Sequence, residues 1–161
     1  MWQRFQTLFL ALVVILMIAS IFFPIWRYDD PTVGARYELY PIHYSITTIT
    51  DGGDEQKSTA YFPYSLTAVL MIAAATVAAQ TIRRYDNRQT QMFLTFLNTM
   101  LLVGVLGSAF YFAYKLNNEF KVVGLSRVAM WVMFAAVAFN WIAMRFIRRD
   151  EKIVRDSERL R

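Results

Sequence analysis

Four apolar blocks constrain this chain more than any other feature. They cover about residues 7–25, 63–82, 92–114 and 122–144, the last running on to 147. Each approaches the roughly 20 residues an α-helix needs to cross a bilayer core. Up to residue 144 the blocks hold one charged residue, Arg127, close to an end of the fourth. Only 18% of the 161 residues carry charge, against about 25% in a typical soluble domain. The pattern predicts an all-α membrane protein, a four-transmembrane-helix bundle forming one integral domain over 1–161.

A single arginine, Arg4, precedes the first block, whose apolar run from Leu8 is about 18 residues long. Cleavable signal sequences carry an apolar region of about 7–15 residues and then a small-x-small site. No such site precedes Pro24-Ile25-Trp26, so the first block is expected to persist as a helix.

Basic residues set orientation, because positively charged flanks resist translocation. Eleven fall on one side: Arg4, then Arg83, Arg84 and Arg88 in the 82–91 loop, then Arg145, Arg148, Arg149, Lys152, Arg155, Arg159 and Arg161 in the tail. Six fall on the other: Arg27, Arg36 and Lys57 in the outer loop, and Lys115, Lys121 and Arg127 around the third connection. The imbalance predicts a multi-pass protein of the bacterial inner membrane with both termini in the cytoplasm. Six acids in the 27–62 loop fit an outer position, whereas the third connection is net basic there. Trp26, Tyr28, Tyr61, Tyr64, Tyr111 and Tyr114 are expected to form an outer aromatic belt, and Trp2, Tyr85 and Trp141 an inner one.

The 27–62 loop is the only long segment outside these blocks. RYELYPIHYSITTIT is rich in strand formers, Asp51-Gly52-Gly53-Asp54 is a turn signal, and QKSTAYF suits a second strand. These features predict a small extracytoplasmic β-hairpin leaning on the helix ends, with Pro41 breaking the first strand or confining it to an edge. An irregular loop held by its aromatics is the alternative.

Six alanines in the second block, Gly104 and Ser108 at small-xxx-small spacing in the third, and Ala135, Ala136 and Ala138 in the fourth predict close helix packing inside the bundle or between copies. Intrabundle polar residues are few. Asn98 and Asn140 lie at similar expected depth, where they are placed to hydrogen-bond each other, and Arg127 is near enough to the surface to snorkel or to meet an outer-loop acid. The blocks hold no Asp or Glu, which argues against an ion or proton pathway.

No cysteine is present, and His43 is the single histidine. Disulfide exchange, thiolate metal sites and histidine-rich metal sites are therefore excluded. His43 and Ser45 do not make a triad, and Asp51, Asp54 and Glu55 lack EF-hand spacing. No phosphate-binding glycine loop and no nucleic-acid pattern occur, so neither a cofactor, a nucleic acid nor a small-molecule substrate is expected. The net charge of +5 is accounted for by orientation and by attraction to anionic lipid heads.

The tail, 145–161, carries eleven charges on seventeen residues. Read as a helix, it sets Phe146, Ile147, Ile153, Val154 and Leu160 on a narrow stripe, with Glu151–Arg155 and Lys152–Asp156 as favourable i,i+4 pairs. Two readings stand: a frayed stop-transfer tail anchored by Arg145, Arg148 and Arg149, or a helical cytoplasmic tail that docks on a partner or on the 82–91 loop.

Met1, Gln3, Arg4, Gln6 and Thr7 match a Met-x-Gln-Arg-x-Gln-Thr opening, and Asn140, Trp141, Arg145, Ile147, Arg148, Asp150, Glu151, Val154, Arg155, Arg159, Leu160 and Arg161 match a characteristic ending. With Asn87, Arg88, Gln91 and Asn98, these residues make the chain resemble the bacterial membrane family called domain of unknown function 4293, found in Bacteroidota. The resemblance spans the chain and is weakest in the outer loop. It implies a four-helix inner-membrane protein and transfers no catalytic residue. The matching segments gather on the cytoplasmic side, which marks Gln3, Arg4, Asn87, Arg88, Arg148, Asp150, Glu151, Arg155, Arg159 and Arg161 as candidate partner-binding residues. The leading expectation is a non-enzymatic accessory or structural subunit of a larger membrane complex, in envelope biogenesis or protein translocation, with membrane lipids and other inner-membrane proteins as its partners. A small channel or lipid-handling carrier is the alternative, and an intramembrane enzyme lacks the polar constellation it would need.

Overall fold

A computed structural model describes the backbone of residues 2–49, 55–84, 87–122, 124–126 and 128–159, and the side chains of these apart from 2–4, 49, 125, 126 and 154–159. It contains four helices: α1 (Trp2–Ser20), α2 (Leu66–Arg83), α3 (Arg88–Phe120) and α4 (Val128–Arg159). Between α1 and α2 lie four strands: β1 (Trp26–Asp30), β2 (Ala35–Leu39), β3 (Tyr44–Ile49) and β4 (Glu55–Ala60). A two-residue strand, β5 (Leu125–Ser126), precedes α4.

The helices form a closed ring in which α1 and α3 each pack between α2 and α4. Their inward faces repeat every three or four residues, as 3.6 residues per turn requires. Leu10, Val13 and Met17 of α1, Met71, Ala74 and Ala78 of α2, Leu102, Val105 and Ala109 of α3, and Met130, Met133 and Ala136 of α4 are all buried. Small residues bring α2 close to α3: Ser108 donates to Thr67 at 3.1 Å, and Gly104 faces Leu70 across the seam. The outward faces are as apolar as the inward ones, with Ile15, Val69, Ile72, Val103, Trp131 and Phe134 all exposed. A helix that is apolar on every side belongs in the core of a larger protein or across a membrane. Three of the helices, over Leu66–Arg83, Arg88–Phe120 and Val128–Ile153, are long and apolar enough to cross a membrane. The sequence predicts four such spans, whereas the described apolar part of α1, Phe5–Ser20, is shorter. Its helix stops at Ser20 rather than near 25: a loose turn follows through Phe23, Pro24 cannot continue the helix, and Ile25 already joins the sheet.

Helices α3 and α4 overrun the expected blocks at both ends or one. At 33 and 32 residues they measure about 50 Å at about 1.5 Å per residue, well beyond a bilayer core of about 30 Å. The last two turns of α3 support the sheet, and the last turns of α4 form the tail, helical through Arg159.

The expected hairpin is only half of what forms. β1–β4 make an antiparallel meander, and β5 pairs with β1, giving the order β4-β3-β2-β1-β5. Pro41 breaks the RYELYPIHYSITTIT segment into two strands instead of demoting one: Tyr40 N–H bonds to the His43 carbonyl, and Ala68 N–H in the first turn of α2 bonds to the Pro41 carbonyl. An extra hairpin turns at Gly34, whose φ of +63° suits glycine. The Asp51–Asp54 turn signal lies outside the described residues. Alternation in the sheet puts Trp26, Tyr28, Tyr37, Leu39, Tyr44 and Ile46 against the helices, and Arg27, Glu38, Asp29 and Arg36 on the far face, joined by Arg27–Glu38 and Arg36–Asp29 ion pairs at 2.9 Å.

Trp26 therefore corrects the expected belt. It is 1% exposed, and its indole N–H donates to the Asn117 side-chain oxygen at 2.8 Å. Tyr61, Tyr111, Tyr114 and Trp141 do face outward. Tyr85 and the Trp2 side chain lie outside the described residues.

Candidate functional site

The two ends of the bundle differ in charge. By sequence position, the end bearing the N-terminus, the 82–91 loop and the tail has eleven basic and five acidic residues; the sheet end has six basic and seven acidic. The candidate partner-binding residues belong to the basic end, and the fold brings several of them together. Arg88 Nη1 donates to the Asp150 carbonyl at 2.9 Å and sits 3.4 Å from its carboxylate. This pair fastens the start of α3 to the tail. Both side chains keep partial exposure while engaged with each other. Asn87 is exposed and is the N-cap of α3, its side-chain oxygen accepting from Thr90 N–H at 3.1 Å. Arg148 is exposed and lines a small cleft of about 280 Å³ with Met92, Glu151 and Lys152. Glu151 Oε2 is buried with no hydrogen-bond partner. The side chains of Gln3, Arg4, Arg155 and Arg159, and all of Arg161 and Arg127, lie outside the described residues.

The tail's apolar stripe splits. Ile147 is buried and Phe146 stacks on Phe9 at 5.7 Å and on Phe5 at 6.2 Å, so this stretch docks on α1. Ile153 is half exposed. Arg145 lies over Trp141 at 5.0 Å, a cation–π contact suited to an interface.

Asn98 and Asn140 are fully buried and meet: Asn98 Nδ2 donates to Asn140 Oδ1 at 2.8 Å. Asn140 Nδ2 donates in turn to Thr99 Oγ1 and to the Thr95 carbonyl. Gln6 and Gln91, two of the motif glutamines, are buried as well. Sequence reasoning marked these glutamines only as a resemblance; polar residues at helical spacing beside Thr95 and Asn98 were the available signal for a buried layer.

Sequence reasoning missed two further features. One is Asn117, whose single side-chain oxygen accepts from both Trp26 and Gly124 N–H, each at 2.8 Å. The other is a polar cleft of about 550 Å³ between the end of α2 and the start of α3, lined by Gln80, Arg83, Arg84, Asn87 and Leu94. At the sheet end, Asp29, Asp30, Arg36 and Glu55 line a smaller cleft. Hydrogen bonds from Thr32 hold the Asp30 carboxyl below its ordinary range, burial pushes the Tyr44 phenol well up, and burial, then Lys57, lowers His43. Among the described residues, no group of acids and His43 is arranged to hold a metal.

These features define a small, mostly helical protein with three helices fit to cross a membrane, an antiparallel sheet at one end and a basic surface at the other. The chain belongs to the family described as domain of unknown function (DUF4293), whose model matches residues 2–160. No curated protein matches it.

Proposed function

We propose that this protein is a four-helix integral membrane protein of the bacterial inner membrane, with both termini cytoplasmic. It serves there as a non-enzymatic subunit that docks other membrane proteins through its basic end. The observation that supports this best is the continuation of α4 beyond the apolar span, held at a fixed angle by Arg88–Asp150 and by Phe146 on α1. A tail serving only to stop transfer needs no such fastening. In this reading α1 crosses the bilayer alongside α2 and α4, its 19 residues reaching about 28 Å at about 1.5 Å per residue. A channel or carrier is supported less, because large buried side chains such as Leu10, Met17, Met71, Leu102 and Met133 fill the seam between the helices.

The absence of native cysteine makes orientation directly testable. In intact spheroplasts, a cysteine at Thr32 is expected to react with a membrane-impermeant maleimide, and one at Lys152 only after permeabilisation. The opposite pattern overturns the topology. For the docking role, mild detergent extraction is expected to recover the protein in a complex larger than itself, and the Arg148→Glu/Lys152→Glu variant to lose that complex while still inserting. A wild-type protein that runs as a partner-free monomer overturns the subunit reading.

A further inference from the structure

We infer that the cleft between α2 and α3 is a binding site for the anionic phosphodiester head of a membrane phospholipid. The inference rests on the membrane reading above and adds a ligand to it. Arg83 and Arg84 close α2, and both side chains are exposed. Among the described residues neither guanidinium has a carboxylate partner, in contrast to Arg88, which Asp150 engages. Two guanidiniums on one cleft wall, with the amides of Gln80 and Asn87 beside them, match an oxygen-rich monoanion that accepts several N–H bonds at once. The positive end of the α3 dipole opens on the same cleft, since Asn87 is its N-cap.

The geometry favours a lipid over a soluble phosphate for a second reason. Above the arginines, the half-buried face of α2 presents Val77, Ala73 and Leu70, and the facing side of α3 presents Leu94, Leu101 and Gly104. Spacings of three, four and seven residues keep each set on one helix face. Small residues hold this seam shallow: a methyl added at Gly104 would meet only Leu70, at ordinary contact distance. An acyl chain thus has an apolar track leading straight down to the cationic cleft, at the depth where lipid heads lie.

The test uses the full-length protein in a mild non-ionic detergent, with unfolding followed by tryptophan fluorescence. Adding phosphatidylglycerol is expected to raise the melting temperature more than equimolar phosphatidylcholine, and inorganic phosphate to leave it unchanged. The Arg83→Gln/Arg84→Gln variant is expected to lose about thirtyfold in apparent phosphatidylglycerol affinity, about fivefold for each basic residue removed beside an anionic lipid head. Arg148→Gln/Lys152→Gln removes the same charge from the same end and is expected to retain the affinity. Equal losses in both variants would mean diffuse attraction and overturn the site. A shift produced by inorganic phosphate alone would overturn the lipid assignment. Should the arginine variant fail to fold, a photoactivatable phosphatidylglycerol decides: crosslinks on wild-type residues 73–101 uphold the site, and crosslinks confined to α4 reject it. Failure of the membrane reading itself shows separately, as release of the protein from membranes by carbonate.

Discussion

Replacing Gly124 by alanine is expected to be among the most damaging single substitutions in the chain, although it adds one methyl group in a connecting segment. A Cβ at this position would overlap the Trp26 indole ring itself. The ring cannot step aside: it is 1% exposed, flanked by Tyr28 and Phe120, and its N–H is held by Asn117. Nor can Lys121 and Gly124 shift freely. Lys121 caps α3 in the left-handed region at φ +52°, its N–H returning to the Asn117 carbonyl, and Gly124 N–H is tied to the Asn117 side chain. Relief requires breaking one of these hydrogen bonds or moving a packed ring. Overpacking of this kind costs about 3 kcal/mol or more once a buried hydrogen bond is lost with it, roughly 6–12 °C in melting temperature for a chain of this size. Thermal unfolding read by tryptophan fluorescence measures it. The mechanism makes a second demand. In a Trp26→Leu background, itself destabilised by loss of the indole, the same Gly124→Ala change is expected to cost little, because the smaller side chain leaves room. An undiminished cost in that background would place the strain elsewhere.

The Trp26–Asn117–Gly124 arrangement also shows what a sequence can and cannot disclose. The helical blocks are legible because each is a long apolar run nearly free of charge, a property of composition over a window. The basic end was legible for the same reason. Even Pro41 and the strand formers around it announced themselves locally. Trp26 departs from its expected place because an aromatic beside an apolar block reads as an interfacial anchor. Its position depends on strand alternation within β1, the first strand of the β1–β2 hairpin. Asn117 was invisible because its partners lie 91 residues before it and 7 after it. The candidate docking residues divide along the same line. Arg88 and Asp150 stand out as charged motif positions, yet only the tertiary fold pairs them across 62 residues. Arg83 and Arg84 contributed to the charge count, but the cleft they line with Gln80 and Asn87 exists only once α2 and α3 are folded together. Windowed composition thus discloses elements, while specific side-chain roles require the contacts between them.

The buried asparagine pair carries the second large expectation, and its two members are not equivalent. Asn140 uses its oxygen for Asn98 and its amide for both Thr99 and the Thr95 carbonyl. Asn98 makes the one bond to Asn140, and its own oxygen is buried without a partner. Changing Asn140 to leucine therefore strands the whole Asn98 amide in an apolar seam, at a cost of about 1–3 kcal/mol. Changing Asn98 to leucine removes an unpaired acceptor along with a good donor, so its cost is expected to be the smaller of the two. The double change removes both amides together and leaves no orphan from the pair except the Thr99 hydroxyl, which still bonds the Thr95 carbonyl at 3.0 Å. It is expected to be closer to neutral than either single change, since replacing both partners by apolar groups of the same branched shape leaves no polar group of the pair stranded. The double-mutant cycle, read as detergent-resistant melting, should thus yield a coupling close to the sum of the two single losses, and so larger than the Asn140→Leu loss alone. That loss would be dominated by the stranded partner, because interhelical hydrogen bonds in bilayers contribute on average only about 0.6 kcal/mol when formed. Strictly additive losses in the double variant would show that the two residues do not act as a unit. A double variant that folds but no longer enters the complex proposed above would instead move the pair's purpose from stability to holding α3 and α4 in register at the basic end.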